Sequence, residues 1–346
     1  FNLGVSHAGE QHFAHGGAIG RDLLADVGDR YHRVGALPLF EVEHVGALWH
    51  LDFHHGKRPV LTREGAWMKP LLFGCIDDRS RLVCHLQWGL DEGAQSLVHG
   101  LCQAFMKRGL PRALMTDNGA AMMAEEFTAG LATLGIVHQP TLPYSPYQNA
   151  KQENFWGRVE GRLMAMLEGE DALTLELLNH ATQAWVEQEY HRTHHTEIGD
   201  TPLSRYLAGP NVARPCPLAS ELTAAFRIEL ARRLRRSDGT ASLAGRRFEI
   251  PARYRHLNHV HLRYARWDLS RVDLIDARTG AVLCSVKPLD KAANADGQRR
   301  ALDPPDSDAQ PPPPSGIAPL LRKLLADYAA TGLPPAYLPP PDKDPL

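Results

Sequence analysis

The sequence predicts an α/β fold, a mixed five-stranded sheet with flanking helices, followed by a small C-terminal β-barrel. Three observations carry that prediction. Between Ala47 and Tyr190, short apolar runs alternate with helical periodicity in the order three strands, helix, strand, helix, strand, helix, and a further helix closes the series. Three consecutive strands before the first helix call for antiparallel hairpins, and later strands reached through helices call for parallel additions. Beyond Pro217 the helical period gives way to short runs separated by turns, a spacing that suits a barrel.

Taken in order, residues 1–40 are rich in glycine and histidine, with one helical candidate at 21–33, and are read as the remnant of an upstream, DNA-binding module. The chain begins with Phe1 rather than methionine, so it is expected to be a fragment or a processed product. The core spans 41–208, with strands at 47–54, 71–76, 81–88, 113–116 and 136–139. Its helices are expected at 93–107, 122–134, 148–167 and 174–190. The barrel spans 221–290, with strands at 226–230, 246–250, 260–264, 271–275 and 282–286 and turns such as Ser237-Asp238-Gly239 and Arg278-Thr279-Gly280. Residues 291–316, ending in Pro311–Pro314, read as an extended linker. In 317–346, Ile317, Leu320, Leu321, Leu324, Leu325 and Tyr328 recur at helical spacing, the pattern of a tethered amphipathic helix that docks in an apolar groove of a partner.

A chain of 346 residues with 43% hydrophobic and 23% charged residues forms a core, which excludes a disordered or fibrous protein. There is no apolar run of about 18 residues and no charged-then-apolar leader, so no membrane association and a cytoplasmic location are expected. Cys75, Cys84, Cys102, Cys216 and Cys284 form no CxxC pair and read as reduced, mostly buried thiols. The net charge of −2 hides an asymmetry: twelve arginines and only four acids lie between Arg227 and Arg271. Such a stretch could hold phosphates, with Arg246, Arg247 and Arg263 as candidates.

Three carboxylates stand out. Asp52 lies in Leu48-Trp49-His50-Leu51-Asp52-Phe53-His54, where alternation puts His50, Asp52 and His54 on one face and Trp49, Leu51 and Phe53 on the other. A carboxylate in a strand that otherwise reads as core is costly unless it is paired or metal-bound. Asp117 ends the strand Ala113–Thr116 and precedes Asn118-Gly119, a turn that lets it project from the strand's C-terminal end. Glu153 falls in the first turns of a long helix opened by Tyr144-Ser145-Pro146-Tyr147-Gln148-Asn149-Ala150-Lys151. Carboxylates brought together in this way suit hard cations, and two such ions can stabilise both oxygens of a phosphodiester displacement. Histidines 50 and 54 offer a rival, imidazole-based site for zinc or manganese. Asp77-Asp78-Arg79-Ser80 reads as a hairpin turn and is set aside.

The order strand-Asp, Thr-Asp-Asn-Gly, then Pro-Tyr-Ser-Pro-Tyr-Gln-Asn-Ala-Lys-Gln-Glu resembles the catalytic core of retroviral integrases and bacterial insertion-sequence transposases, the DDE class. The resemblance runs from about Leu48 to Leu207 and includes Tyr190-His191-Arg192-Thr193-His194-His195 and Gly199-Asp200-Thr201-Pro202. It implies a ribonuclease-H-like fold, with Asp52, Asp117 and Glu153 as catalytic ligands of two Mg2+ ions that Mn2+ could replace. It further implies strand transfer at mobile-element ends by a homo-multimer in a synaptic complex, acting on transposon-end and target DNA in a bacterial, nucleoid-associated setting. The segment 221–290 resembles, more weakly, the C-terminal domain of Mu-type transposases, which work with an AAA+ ATPase. The tail would be the docking element for such a partner.

Asn118, Ser145, Gln148, Asn149 and Lys151 are candidate DNA contacts, and Lys151, Arg158 and Arg162 are spaced as one helix face that could follow a DNA backbone. Many relatives carry basic residues four and seven positions beyond the glutamate, where this chain has Gly157 and Glu160. Two other functions keep the same fold: a DNA-binding descendant that no longer transposes, and a nuclease that only hydrolyses.

Overall fold

The structure is a computed structural model that describes residues 41–141, 150–289 and 316–332. The expected upstream module, the linker, and Ser145, Gln148 and Asn149 lie outside the described residues.

The core is one five-stranded sheet, in the order β5 (Val83–Gly89), β4 (Leu71–Asp77), β1 (Leu48–His55), β6 (Ala113–Thr116), β7 (Val137–Pro140). The first three strands pair antiparallel, and β6 and β7 add in parallel. The parallel joins follow helices because a strand returning in the same direction needs a crossover. α1 (Ala94–Arg108) leads to β6 and α2 (Glu125–Thr133) to β7.

Strand alternation sends side chains into two cores, one on each face. Trp49, Leu51, Phe73 and Cys75 pack with Leu101 and Phe105 of α1 and Phe127 of α2. Leu72, Ile76, Leu86 and Trp88 pack on the opposite face, against α3 (Ala150–Arg158) and α4 (Leu175–Gln188). The sheet is therefore a middle layer between helices, with the face assignments expected for β1. Two elements differ from expectation in this region. The long helix is not uniform, because α3 continues as a π-helix, Val159–Met164. A short ribbon, β2 (Val60–Leu61) with β3 (Trp67–Met68), projects between β1 and β4.

After α5 (Pro202–Ala208) and α6 (Ala219–Ala225), a second unit begins. Its main sheet has the order β13 (Val282–Val286), β12 (Asp268–Ile275), β11 (His259–Ala265), β8 (Ile228–Arg233). The hairpin of β9 (Thr240–Leu243) and β10 (Arg246–Glu249) joins the end of this sheet, since Glu249 N–H donates to Lys287 O and Leu289 N–H to Arg247 O. These strands enclose Leu243, Phe248, Val260, Leu262, Val272 and Leu274. β9 was not anticipated, and β8 begins two residues later than expected.

α7 (Pro319–Ala330) forms where the apolar spacing placed a helix, but it does not hang free. Ile317, Leu321, Leu324 and Tyr328 are buried in the same core as Leu178 and Trp185, and Ala318 N–H donates to Met166 O (2.8 Å). The expected docking element thus spends its apolar face on the five-stranded-sheet unit itself. Periodicity reveals that a face is apolar and leaves open which surface will cover it.

Candidate active site

β1 and β6 run parallel with Leu51 opposite Thr116, so Asp117, which follows the end of β6, stands beside Asp52, which lies within β1 and pairs with Gly74 of β4. Neighbouring strands lie about 4.8 Å apart. Asp117 raises the Asp52 pKa by direct repulsion. The turn after β6 is set by Asp117 itself, whose Oδ1 accepts from Gly119 N–H (2.9 Å). Asn118 Nδ2 donates to Thr141 O (2.9 Å), tying this turn to the end of β7.

Asp52 is only partly exposed. Its Oδ1 accepts from Phe53 N–H (2.8 Å) and its Oδ2 from the Trp156 indole N–H on α3 (3.3 Å). Burial pushes its pKa up to about 6, the Trp156 bond opposes that rise, and Asp117 adds to it. Trp156 reaches this position because the residue opposite Asp52 is Gly74. A Cβ there would lie 2.3 Å from the indole ring. Gln152 on the same helix donates to Gly74 O (3.0 Å), fixing α3 against β4.

Glu153 is exposed on α3, one turn before Trp156. The structure brings Asp52 and Asp117 together and sets Glu153 on the helix alongside. Among the described residues, no three His, Cys, Asp or Glu side chains are placed to hold a metal ion. Neither histidine joins such a site. His50 Nε2 lies 2.7 Å from Asp78 Oδ1, and His54 Nε2 lies 2.8 Å from Glu160 Oε1 while its ring stacks on Trp156.

Lys151 does not extend the basic stripe of its helix. It is 8% exposed and its Nζ is 2.5 Å from Asp78 Oδ1. Helical spacing put it with Arg158 and Arg162, but a buried carboxylate turns it toward the sheet. Arg158 is exposed, and Arg162 pairs with Glu189 (2.6 Å). A Cβ at Gly157 or Gly161 would meet nothing within 4 Å, so no other helix of the described chain approaches there.

The arginine-rich stretch is partly internal structure. Arg227 binds Asp273 (2.5 Å), Arg263 binds Glu229 (2.5 Å), Arg247 reaches Asp238 (3.3 Å), and Arg266 binds Glu125 on α2 (2.9 Å). Arg246 is exposed.

Sequence reasoning missed Trp156 and Gly74, which position Asp52, and the pairing of Asp78 with Lys151 and His50. Only Asp78 left a signal, as the second of two adjacent acids closing an apolar strand.

Residues 42–146 match the family model of the integrase core domain. Over 123 residues the chain is 30% identical to the insertion element IS476 uncharacterized 39.2 kDa protein of Xanthomonas euvesicatoria, a match covering 30% of this chain and 36% of that relative. The chain thus spans about a third of the curated relative it matches. Among solved structures, it is similar to a chain of the simian T-cell lymphotropic virus intasome in complex with PP2A regulatory subunit B56 gamma. There the identity is 17% and the TM-score 0.44, over 74% of this chain and 81% of that one. It is also similar to the HTLV-2 integrase catalytic core domain in complex with magnesium, at 19% identity and TM-score 0.38, over 49% of this chain and 99% of that one. The BIV integrase catalytic core gives 22% and 0.37, over 47% and 94%. The mixed five-stranded sheet stands on its own strand order and directions.

Proposed function

We propose that this protein is a DDE-type transposase or integrase that cleaves DNA at mobile-element ends and joins it to target DNA. Asp52, Asp117 and Glu153 would hold two divalent ions, Mg2+ or Mn2+. The observation that carries this reading is the pair of neighbouring aspartates, Asp52 within β1 and Asp117 just past the end of the parallel strand β6, the first with its pKa raised to about 6. Two carboxylates this close repel each other, and their oxygens are the donors a hard cation prefers. The chemistry of these donors supports a divalent-ion site.

When bound, the ions supply Lewis acidity to the attacking and leaving oxygens of the phosphodiester. The protein's own residues orient. Phe53 N–H and the Trp156 indole aim the Asp52 carboxylate, and Gly119 N–H aims Asp117. Glu153, exposed on the same helix as Trp156, would supply the third carboxylate. Asn118 and Arg158, together with Ser145, Gln148 and Asn149, contact the DNA strand, and Arg246 contacts phosphate outside the core. The active form is a multimer that pairs two DNA ends. An ATPase partner docked through the tail is left out of this reading, because the apolar face of α7 is covered by the core.

The test is a cleavage and joining assay on labelled element-end DNA with Mg2+ or Mn2+, comparing wild type with Asp117→Asn. Metal-dependent joining that the substitution abolishes is expected. Cleavage without joining would replace this reading with a nuclease, and DNA binding without either activity would replace it with an inactive descendant.

A further inference from the structure

The ribbon β2–β3 belongs to neither the sheet nor the acid pair, and its construction is uneven. The base is fastened. Gly56 N–H donates to Pro70 O (2.8 Å), Leu61 N–H to Leu173 O (2.8 Å), and the Arg58 guanidinium to the carbonyls of Leu167 and Glu170. Val60 is fully buried in the core beneath. The tip is a closed turn in which Thr62 N–H donates to Ala66 O (2.8 Å) and Gly65 takes φ +80°. The outer surface is bare, with Trp67 54% and Met68 43% exposed. Lys57, Arg63 and Lys69 are exposed on the same segment.

An apolar surface of this size held out in water by a fastened ribbon contributes nothing to the core, so its value lies in what it meets. Two facts say what that is. The segment 56–70 carries four basic residues and one acid, so its field favours a polyanion. The ribbon also leaves the sheet at the Asp52 end of β1, beginning just beyond His55, roughly 10 Å from Asp52 at about 3.3 Å per residue.

We propose that the β2–β3 ribbon is a DNA-contacting element beside the active site, in which Lys57, Arg63 and Lys69 hold phosphates and Trp67, backed by Met68, stacks on an unpaired base. This rests on the polynucleotidyl-transferase reading. Basic groups beside an exposed aromatic ring are the combination that binds a single strand, since charge tracks the backbone and the ring takes any base.

The probe is a fluorescein-labelled duplex with a short single-stranded tail, titrated with the full chain over a range of salt concentrations without divalent metal. Trp67→Ala should weaken binding about tenfold. Lys57→Ala/Arg63→Ala/Lys69→Ala should flatten the slope of log affinity against log salt by roughly two units or more. Both changes lie on exposed side chains, and unchanged thermal melting will show that each variant folds. Unchanged affinity and slope in both variants, with wild type binding the probe, would overturn the ribbon's role and leave the enzymatic reading intact. A wild type that does not bind DNA would overturn both. If Trp67→Ala alters only self-association in sedimentation, the ribbon is a protein interface and the inference fails.

Discussion

The same sheet carries two pairs of aspartates with opposite fates. Asp77 and Asp78, at the end of β4, are fully buried. Asp77 accepts from Gly46 N–H, Ser80 N–H and the Ser80 hydroxyl at 2.7–2.9 Å. Asp78 accepts from Val42 N–H (2.8 Å) and meets His50 and Lys151. Burial works to raise the Asp78 pKa, yet the His50 bond and the Lys151 charge outweigh it and hold the carboxyl well below its usual range. Asp52 and Asp117, toward the opposite end of β1, accept few bonds and face each other, and burial drives Asp52 up. Asp78 spends its charge on joining β1, β4 and α3, while burial raises the Asp77 pKa despite its three hydrogen bonds. The second pair keeps its charge available, at a cost in stability that a bound cation would relieve. What separates Asp78 from Asp52 is whether close partners outweigh the cost of burial.

Four measurements would break or sharpen that contrast. The largest effect is expected for Asp117→Asn, which should lower joining on the order of a thousandfold or more, about 4 kcal/mol of barrier, with unchanged circular dichroism. A surviving rate would remove Asp117 from the chemistry. Next, Asp78→Asn removes the buried charge that faces Lys151 and His50 and should cost about 3–5 kcal/mol in urea unfolding. Adding Lys151→Met should recover part of that loss, and no recovery would show that the pair is not the source of the cost. Third, Leu321→Ala should cost about 2–4 kcal/mol if the tail helix is part of the core. An unchanged midpoint would mean that α7 is detachable and free to serve another surface.

The smallest effect concerns pH. The Asp52 pKa is raised above its unfolded value, so the unfolded chain gives up this proton first, and stability contributed at low pH is lost as pH rises from about 4 through about 6. In metal-free protein, Asp52→Asn should therefore stabilise by about 2 kcal/mol at pH 7, after allowing for partial exposure, and by little at pH 4. Equal melting shifts at both pH values would show that Asp52 is not strained.

Much of this was legible from local pattern. Alternation along β1 named the faces of Trp49, Leu51 and Phe53, and the β6 sequence placed Asp117 at a strand end because a strand's period and its turn residues are local properties. The roles of Asp78 and Lys151 were not legible. They lie 73 positions apart, and their pairing exists only once α3 crosses β1 and β4. The same applies to Gly74, whose missing side chain matters because Trp156 fills the space.

The sequence by itself determined the order of elements, the apolar faces and the presence of three acids in a recognisable order, because these depend on periodicity and turn chemistry within a few residues. Only the tertiary structure decided which acids are neutralised internally, which lysine is removed from the surface, and that the tail helix is core. Those outcomes depend on which distant groups meet and how much water is left around them, and burial and charge pairing are properties of the packed chain.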